Sequence, residues 1–174
     1  FTRMNRCHSL IIGPMNSPLS HFNQDGKAEM VDVSQKADTT RQARASGFIV
    51  MRPDVLALVR QGQAAKGDVL GVARIAAIQG AKRTSELIPL CHPLPIEHIG
   101  VQFDCLDQPC GVHCQVSVTT TGKTGVEMEA LTGLQIALLT IYDMLKAAQK
   151  DMVITNVQLE EKTGGKSGPF LRGG

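Results

Sequence analysis

From Gly122 to Lys150 the chain reads GKTGVEMEALTGLQIALLTIYDMLKAAQK, with Leu131, Leu134, Leu138, Ile141 and Leu145 at alternating spacings of three and four. That period places the five on one face of an α-helix. Thr124 and Glu127 predict a capping box at its start, Thr124 as N-cap and Glu127 reaching back. Glu127, Glu129, Asp143 and Lys146 lie around the apolar stripe. Taken alone, such a helix is equally a core element with one solvated face.

Other patterns are shorter. Gly47 to Met51 (GFIVM) predicts a short strand. Pro53 suits the first turn of a helix reaching about Gln61, with Asp54 beside it at the positive end of the dipole. AAKGD at 64–68 breaks the pattern, and Asp68 can cap a second helix from Val69 to about Glu86. Its small residues (Gly71, Ala73, Ala76, Ala77, Gly80, Ala81) predict close packing on several sides. LIPLCHPLP at 87–95 holds three prolines in nine residues and cannot be a regular element. His98–Leu106 and Val112–Thr121 each alternate apolar with polar, as the two strands of an antiparallel hairpin do. MVITNVQL at 152–159 predicts a last strand before a Gly-rich end. Asp32 to Arg44 is polar and mixed in charge and reads as surface, and residues 1–29 show no periodicity.

The order β-α-α-β-β-α-β predicts an α+β fold, an antiparallel sheet with helices on one face. Without one of the paired helices it is the ferredoxin-like βαββαβ order. The expected organisation is a flexible arm over 1–29, one domain over 30–162 and a Gly-rich tail over 163–174.

Composition narrows the function classes. The 174 residues suffice for one self-sufficient core. With five Phe, one Tyr and no Trp, base-stacking platforms are scarce, which argues against a ferredoxin-like RNA binder. A net charge of +2 is too small for non-specific nucleic-acid binding, yet leaves room for a local basic pocket. Five cysteines in no regular framework argue against a disulfide scaffold. Cys105, Cys110 and Cys114 form no C-x-x-C pair, and Cys105 and Cys114 fit the apolar phase of their strands, so no metal site is expected. No apolar run approaches the ~20 residues of a membrane span. The chain opens with Phe and has no acidic residue before Asp25, which fits a transit segment or an appended leader; the cytoplasm is the default expectation.

Candidate chemistry sits in three places. Lys66-Gly67 offers an ammonium on a loop where the backbone can approach a phosphate closely. Cys91-His92 is held on a rigid turn before Pro93. Gly165-Lys166-Ser167 and Gly122-Lys123-Thr124 resemble the end of a phosphate loop, but the required first glycine is replaced by Glu160 and Ser117. Neither is a phosphate loop, although the amides of Gly122–Gly125 open a helix and can hold an anion.

Several motifs recur together: MVDVS at 30–34, KGD at 66–68, LIPLCH at 87–92, TGVEMEAL at 124–131, TIYDM at 140–144 and KTGG at 162–165. In this order they closely resemble the cyclic pyranopterin monophosphate synthase family of molybdenum-cofactor biosynthesis, from about Gly26 to Phe170. The resemblance implies a ferredoxin-like lyase. The family converts a cyclised dihydroguanosine triphosphate, made by a radical-SAM partner, to cyclic pyranopterin monophosphate and pyrophosphate. Carried over by position, Asp143 is the catalytic acid/base, and Lys66 and Lys146 are essential lysines. Leu90, Cys91, His92, Met128 and Glu129 line the substrate site, and Glu127 and Lys162 match pocket positions. Arg41 joins the lysines as a candidate cation for the anionic substrate. The resemblance further implies a homohexamer built as three dimers, no resident cofactor, and no nucleic-acid or membrane partner. A divalent metal assisting pyrophosphate is left open, as are any role of the cysteines at 105–114 and that of residues 1–25.

Helix length adds a constraint. Glu129 and Asp143 are 14 residues apart, about 21 Å along a straight helix. The expectation is a site shared across a subunit interface, in which Lys66→Ala and Asp143→Ala chains rescue one another. The competing function is a non-catalytic nucleotide-binding module that holds the triphosphate without releasing pyrophosphate.

Overall fold

The computed structural model describes residues 29–173, so all but the last residue of the arm expected over 1–29 lies outside the described residues. From residue 32 onward the elements run β1 (Thr39–Val50), α1 (Pro53–Gln61), α2 (Val69–Lys82), α3 (Thr84–Leu87), β2 (Ile96–Asp107), β3 (Cys110–Gly122), α4 (Glu127–Leu145), β4 (Val153–Thr163) and β5 (Phe170–Leu171). All strands pair antiparallel in the order β2-β3-β1-β4-β5. The first four strands carry the ferredoxin-like arrangement, and α4 packs on β1, β3 and β4.

The apolar stripe of α4 is core. Leu134, Leu138, Ile141 and Leu145 are buried, and Leu131 packs half-buried against them. Beneath the stripe, β1 supplies the small side chains Ala43 and Ala45, then Gly47 and Ile49. A Cβ on Gly47 would come within 2.8 Å of Leu138 and 3.2 Å of Val157, so glycine sets how closely α4 approaches the sheet. The second helix meets α4 through small residues, as its composition predicts. A Cβ on Gly80 would approach Ile136 to 2.8 Å, and one on Gly133 would come to 2.9 Å from the Ala77 carbonyl.

Four expectations change. The strand placed at 47–51 begins eight residues earlier, at Thr39. The polar run Thr39 to Arg44 is extended because β3 pairs with all of it and β4 joins from Gln42, and register outweighs its lack of apolar alternation. Thr124 does not cap α4: the helix starts at Glu127 after Val126, with no side-chain cap, and the Glu127 carboxylate lies against Gly125, where any Cβ would collide. The second helix ends at Lys82, and Thr84–Leu87 forms a separate turn. The last strand runs on to Thr163, and Phe170–Leu171 folds back on Lys162 and Glu161. By contrast, Asp68 caps α2 as read, its Oδ1 accepting from the Gly71 amide at 2.9 Å.

Gly133→Val would force α2 and α4 apart at the Ala77 carbonyl. The expected cost is about 1–3 kcal/mol, as for other overpacked sites, seen as a lowered thermal midpoint by circular dichroism.

Candidate active site

The start of β1 with the residues before it, the loop from β3 to α4, and the end of β4 with the loop after it enclose a cleft of about 580 Å³. Its lining carries five cationic side chains, Lys36, Arg41, Lys123, Lys162 and Lys166, and a single carboxylate, Glu127. Thr124, Gly125 and Ser167 complete the polar wall. Lys162 donates to Ser167 Oγ at 2.6 Å and lies 3.5 Å from Glu127 Oε1. Lys123 donates to the Ser34 carbonyl at 2.8 Å, fastening the segment before β1 to the cleft.

Arg41 holds two walls of this cleft together. Its Nε donates to the Gly122 carbonyl at 2.8 Å and its Nη2 to the Lys123 carbonyl at 3.1 Å. On its other side Gly164 and Gly165, at φ 84° and 80°, lie over the Thr40 carbonyl and the guanidinium, where a Cβ would collide. Positive φ at this contact is available to glycine at little cost. Arg41 therefore sits in the cleft with two of its donors committed to loop carbonyls.

A second group lies at the start of α4. Glu129 is buried, 4% exposed, although it stands among the charged residues of the first turn. Burial, with a smaller contribution from the Glu127 charge, pushes its carboxyl up to about 7, against an opposing backbone amide. Leu90, Cys91 and His92 follow α3 on a turn closed by the Cys91 amide to the Ile88 carbonyl at 3.1 Å. Burial raises the Cys91 thiol, and the Glu129 charge raises it further, which puts the two in electrostatic reach. Met128 points outward, 37% exposed.

The third group lies at the other end of α4. Asp143 Oδ2 accepts from Lys66 Nζ at 2.7 Å, and Oδ1 meets Lys146 Nζ at 2.7 Å. Lys66 also donates to the Asp143 carbonyl at 3.0 Å. Hydrogen bonds from Lys146 and then Lys66 hold the Asp143 carboxyl down at about 2, and Asp143 in turn raises the Lys146 ammonium. Near neutral pH Asp143 is therefore an ionised carboxylate held between two cationic side chains.

Of the residues singled out in the sequence, the structure joins Arg41, Glu127 and Lys162 in the cleft, Cys91 with Glu129, and Lys66 with Asp143 and Lys146. It does not join the last set to the others, since α4 is continuous from Glu127 to Leu145. Sequence reasoning set Lys36 aside as surface and gave Lys123, Lys166 and Ser167 no role once a phosphate loop was excluded. Their signal was the pair of glycine-rich turns at 122–125 and 164–165, which meet on Arg41. Among the described residues no group of three or more His, Cys, Asp or Glu side chains is placed to hold a metal ion.

Two outcomes are expected. Arg41→Ala unfastens both loops and weakens inorganic pyrophosphate binding about tenfold, one charge-assisted hydrogen bond's worth, by isothermal titration calorimetry; Arg41→Lys restores charge but not the two-point contact. Glu129 follows the raised-carboxyl case. Below its unfolded value of 4.5 both states hold the proton; between 4.5 and about 7 only the unfolded state has released it, so stability falls across that window and stays lower above it, where the folded state carries a buried charge. Glu129→Gln is therefore expected to raise the thermal midpoint above pH 7 and leave it unchanged at pH 4, where ~1 kcal/mol corresponds to about 2–4 °C.

A comparison with known families bears on the same residues. The model of the MoaC family matches residues 30–165, a span that holds the cationic cleft except Lys166 and Ser167, the buried glutamate and nearly all of the sheet. By fold and by this match over most of its length, the chain belongs to the MoaC family and has its role in molybdenum cofactor biosynthesis.

Proposed function

We propose that this chain is a cyclic pyranopterin monophosphate synthase. It takes (8S)-3′,8-cyclo-7,8-dihydroguanosine 5′-triphosphate, supplied in the cytoplasm by a radical-SAM cyclase, and releases pyrophosphate. The observation that carries the reading is the cleft, whose five cations against one carboxylate fit a polyanionic tail.

The step fits the residues. A ribose hydroxyl attacks the α-phosphorus, a new P–O bond forms, the bond to the β-phosphate bridging oxygen breaks, and pyrophosphate leaves. Ammonium and guanidinium groups stabilise that leaving charge without a protein nucleophile. Rebuilding the pterin ring needs protons both taken and given near neutral pH. Glu129, titrating near 7, can do both; Asp143, held near 2 by Lys146 and then Lys66, stays ionised there and orients the two lysines. No metal enters this account.

Because α4 keeps Asp143 away from Glu129, the reading completes each site with groups from two subunits of a homohexamer built as three dimers. The complementing pair expected from sequence needs revision: Lys66 and Asp143 are 2.7 Å apart in one chain, so each variant spoils the same half-site. Lys66→Ala mixed with Glu129→Ala is the pair expected to recover turnover. Mixed oligomers, verified by native mass spectrometry, that stay inactive would overturn the shared site.

The decisive measurement is pyrophosphate release from the cyclised substrate. Wild-type turnover with a loss of at least about 100-fold in Asp143→Asn is expected. Tight binding without turnover in the wild type would make the chain a nucleotide-binding module instead. The profile of kcat/KM is expected to rise with pH through about 7, as Glu129 ionises, and the residual rate of Glu129→Gln to be flat there.

A further inference from the structure

Next to Asp143 on α4 stands a group that the proposed chemistry leaves unused. Tyr142 is the only tyrosine of a chain without tryptophan. Its ring packs half-buried against the core, and its hydroxyl donates to the Lys150 carbonyl at 2.6 Å. That bond spans the turn on which Lys146 sits. A phenol that has given its proton keeps acceptor capacity on the oxygen.

Lys146 follows the last turn of α4, its amide donating to the Tyr142 carbonyl at 2.8 Å. Four residues apart on a helix, the two side chains share one face. The Lys146 ammonium meets Asp143 Oδ1 at 2.7 Å, yet its side chain is 53% exposed. A single exposed ion pair does little to hold so flexible a stem in one geometry. Asp143 raises the Lys146 ammonium and Tyr142 adds in the same direction, which puts the phenol within electrostatic reach of it. The turn itself has other fastenings. The amides of Ala148 and Gln149 donate to the Leu145 carbonyl at 2.8 and 3.1 Å, and the buried Gln149 side chain accepts from the Arg52 amide at 2.8 Å.

We infer that Tyr142 is a positioning residue for Lys146: its oxygen, immobilised by the Lys150 carbonyl, accepts from the ammonium and keeps it beside Asp143. The value of this contact for turnover rests on the synthase reading; the contact itself does not.

Two measurements on the full chain test the contact without substrate. Because Tyr142 is the only tyrosine, near-ultraviolet difference spectra read it alone: Lys146→Met is expected to shift its absorption, and Lys82→Met, at an exposed lysine elsewhere, is not. Tyr142→Phe keeps the ring and is expected to make Lys146 at least about threefold more reactive toward acetic anhydride, relative to Lys82, by peptide mass spectrometry. Gln149→Met loosens the same turn from its other side and is the control. An equal rise in both variants would reduce Tyr142 to a turn anchor and overturn the inference. So would an unchanged Lys146 in folded Tyr142→Phe, or a tyrosine spectrum indifferent to Lys146→Met. With the cyclised substrate, Tyr142→Phe is expected to lose about tenfold in kcat with KM within about twofold; a raised KM with kcat kept would count against positioning. A wild type without turnover would sink the synthase reading and leave acetylation to decide for or against Tyr142.

Discussion

The seating of α4 on β1 fixes the positions of Glu127, Glu129, Asp143 and Lys146. Gly47 lets the helix close onto the strand, and Gly133 and Gly80 let α2 close onto the helix. With three glycines at these contacts, α4 has little freedom to slide or rotate. The first turn of α4 therefore enters the protein interior, while Asp143 near its end stays in water. Burial and charge follow from that placement.

Two carboxylates on one helix consequently behave in opposite ways. Glu129 has lost water and gained no cation, so its proton is held more tightly. Asp143 keeps water and gains two ammonium groups, so its proton is released far below neutrality. Environment divides acid–base work between residues of the same chemical type. The sequence shows both carboxylates, but burial and partners decide which of them titrates where the chemistry runs.

Much of the fold was legible because periodicity and punctuation agree. The stripe of α4, the hairpin of β2 and β3, Pro53 before α1 and Asp68 before α2 each carry a local physical cause. The start of β1 was not legible: Thr39 to Arg44 has no apolar alternation, and only its two neighbours make it a strand. The same gap hid part of the site. Arg41 reads as a candidate cation whose place is set only when the strand brings it beneath Gly164 and Gly165, and Lys36, Lys123 and Lys166 join it only when three separate segments meet. Lys66, Asp143 and Lys146 were found through motif resemblance, and only the contact of Lys66 with Asp143 needed the loop before α2 to meet the end of α4.

The Lys66–Asp143–Lys146 cluster acts as an occupied seat. Its two cations already hold one carboxylate, tethered and always present at high local concentration. A visiting anion must outcompete that resident, so a weakly charged metabolite gains little by binding. Under the proposed reaction, a group with several oxygens and more than one charge would exchange with the aspartate and leave it free beside the newly bound ligand. Discrimination against the cell's abundant monoanions would then need no dedicated barrier, and the carboxylate would be released by the arrival it serves.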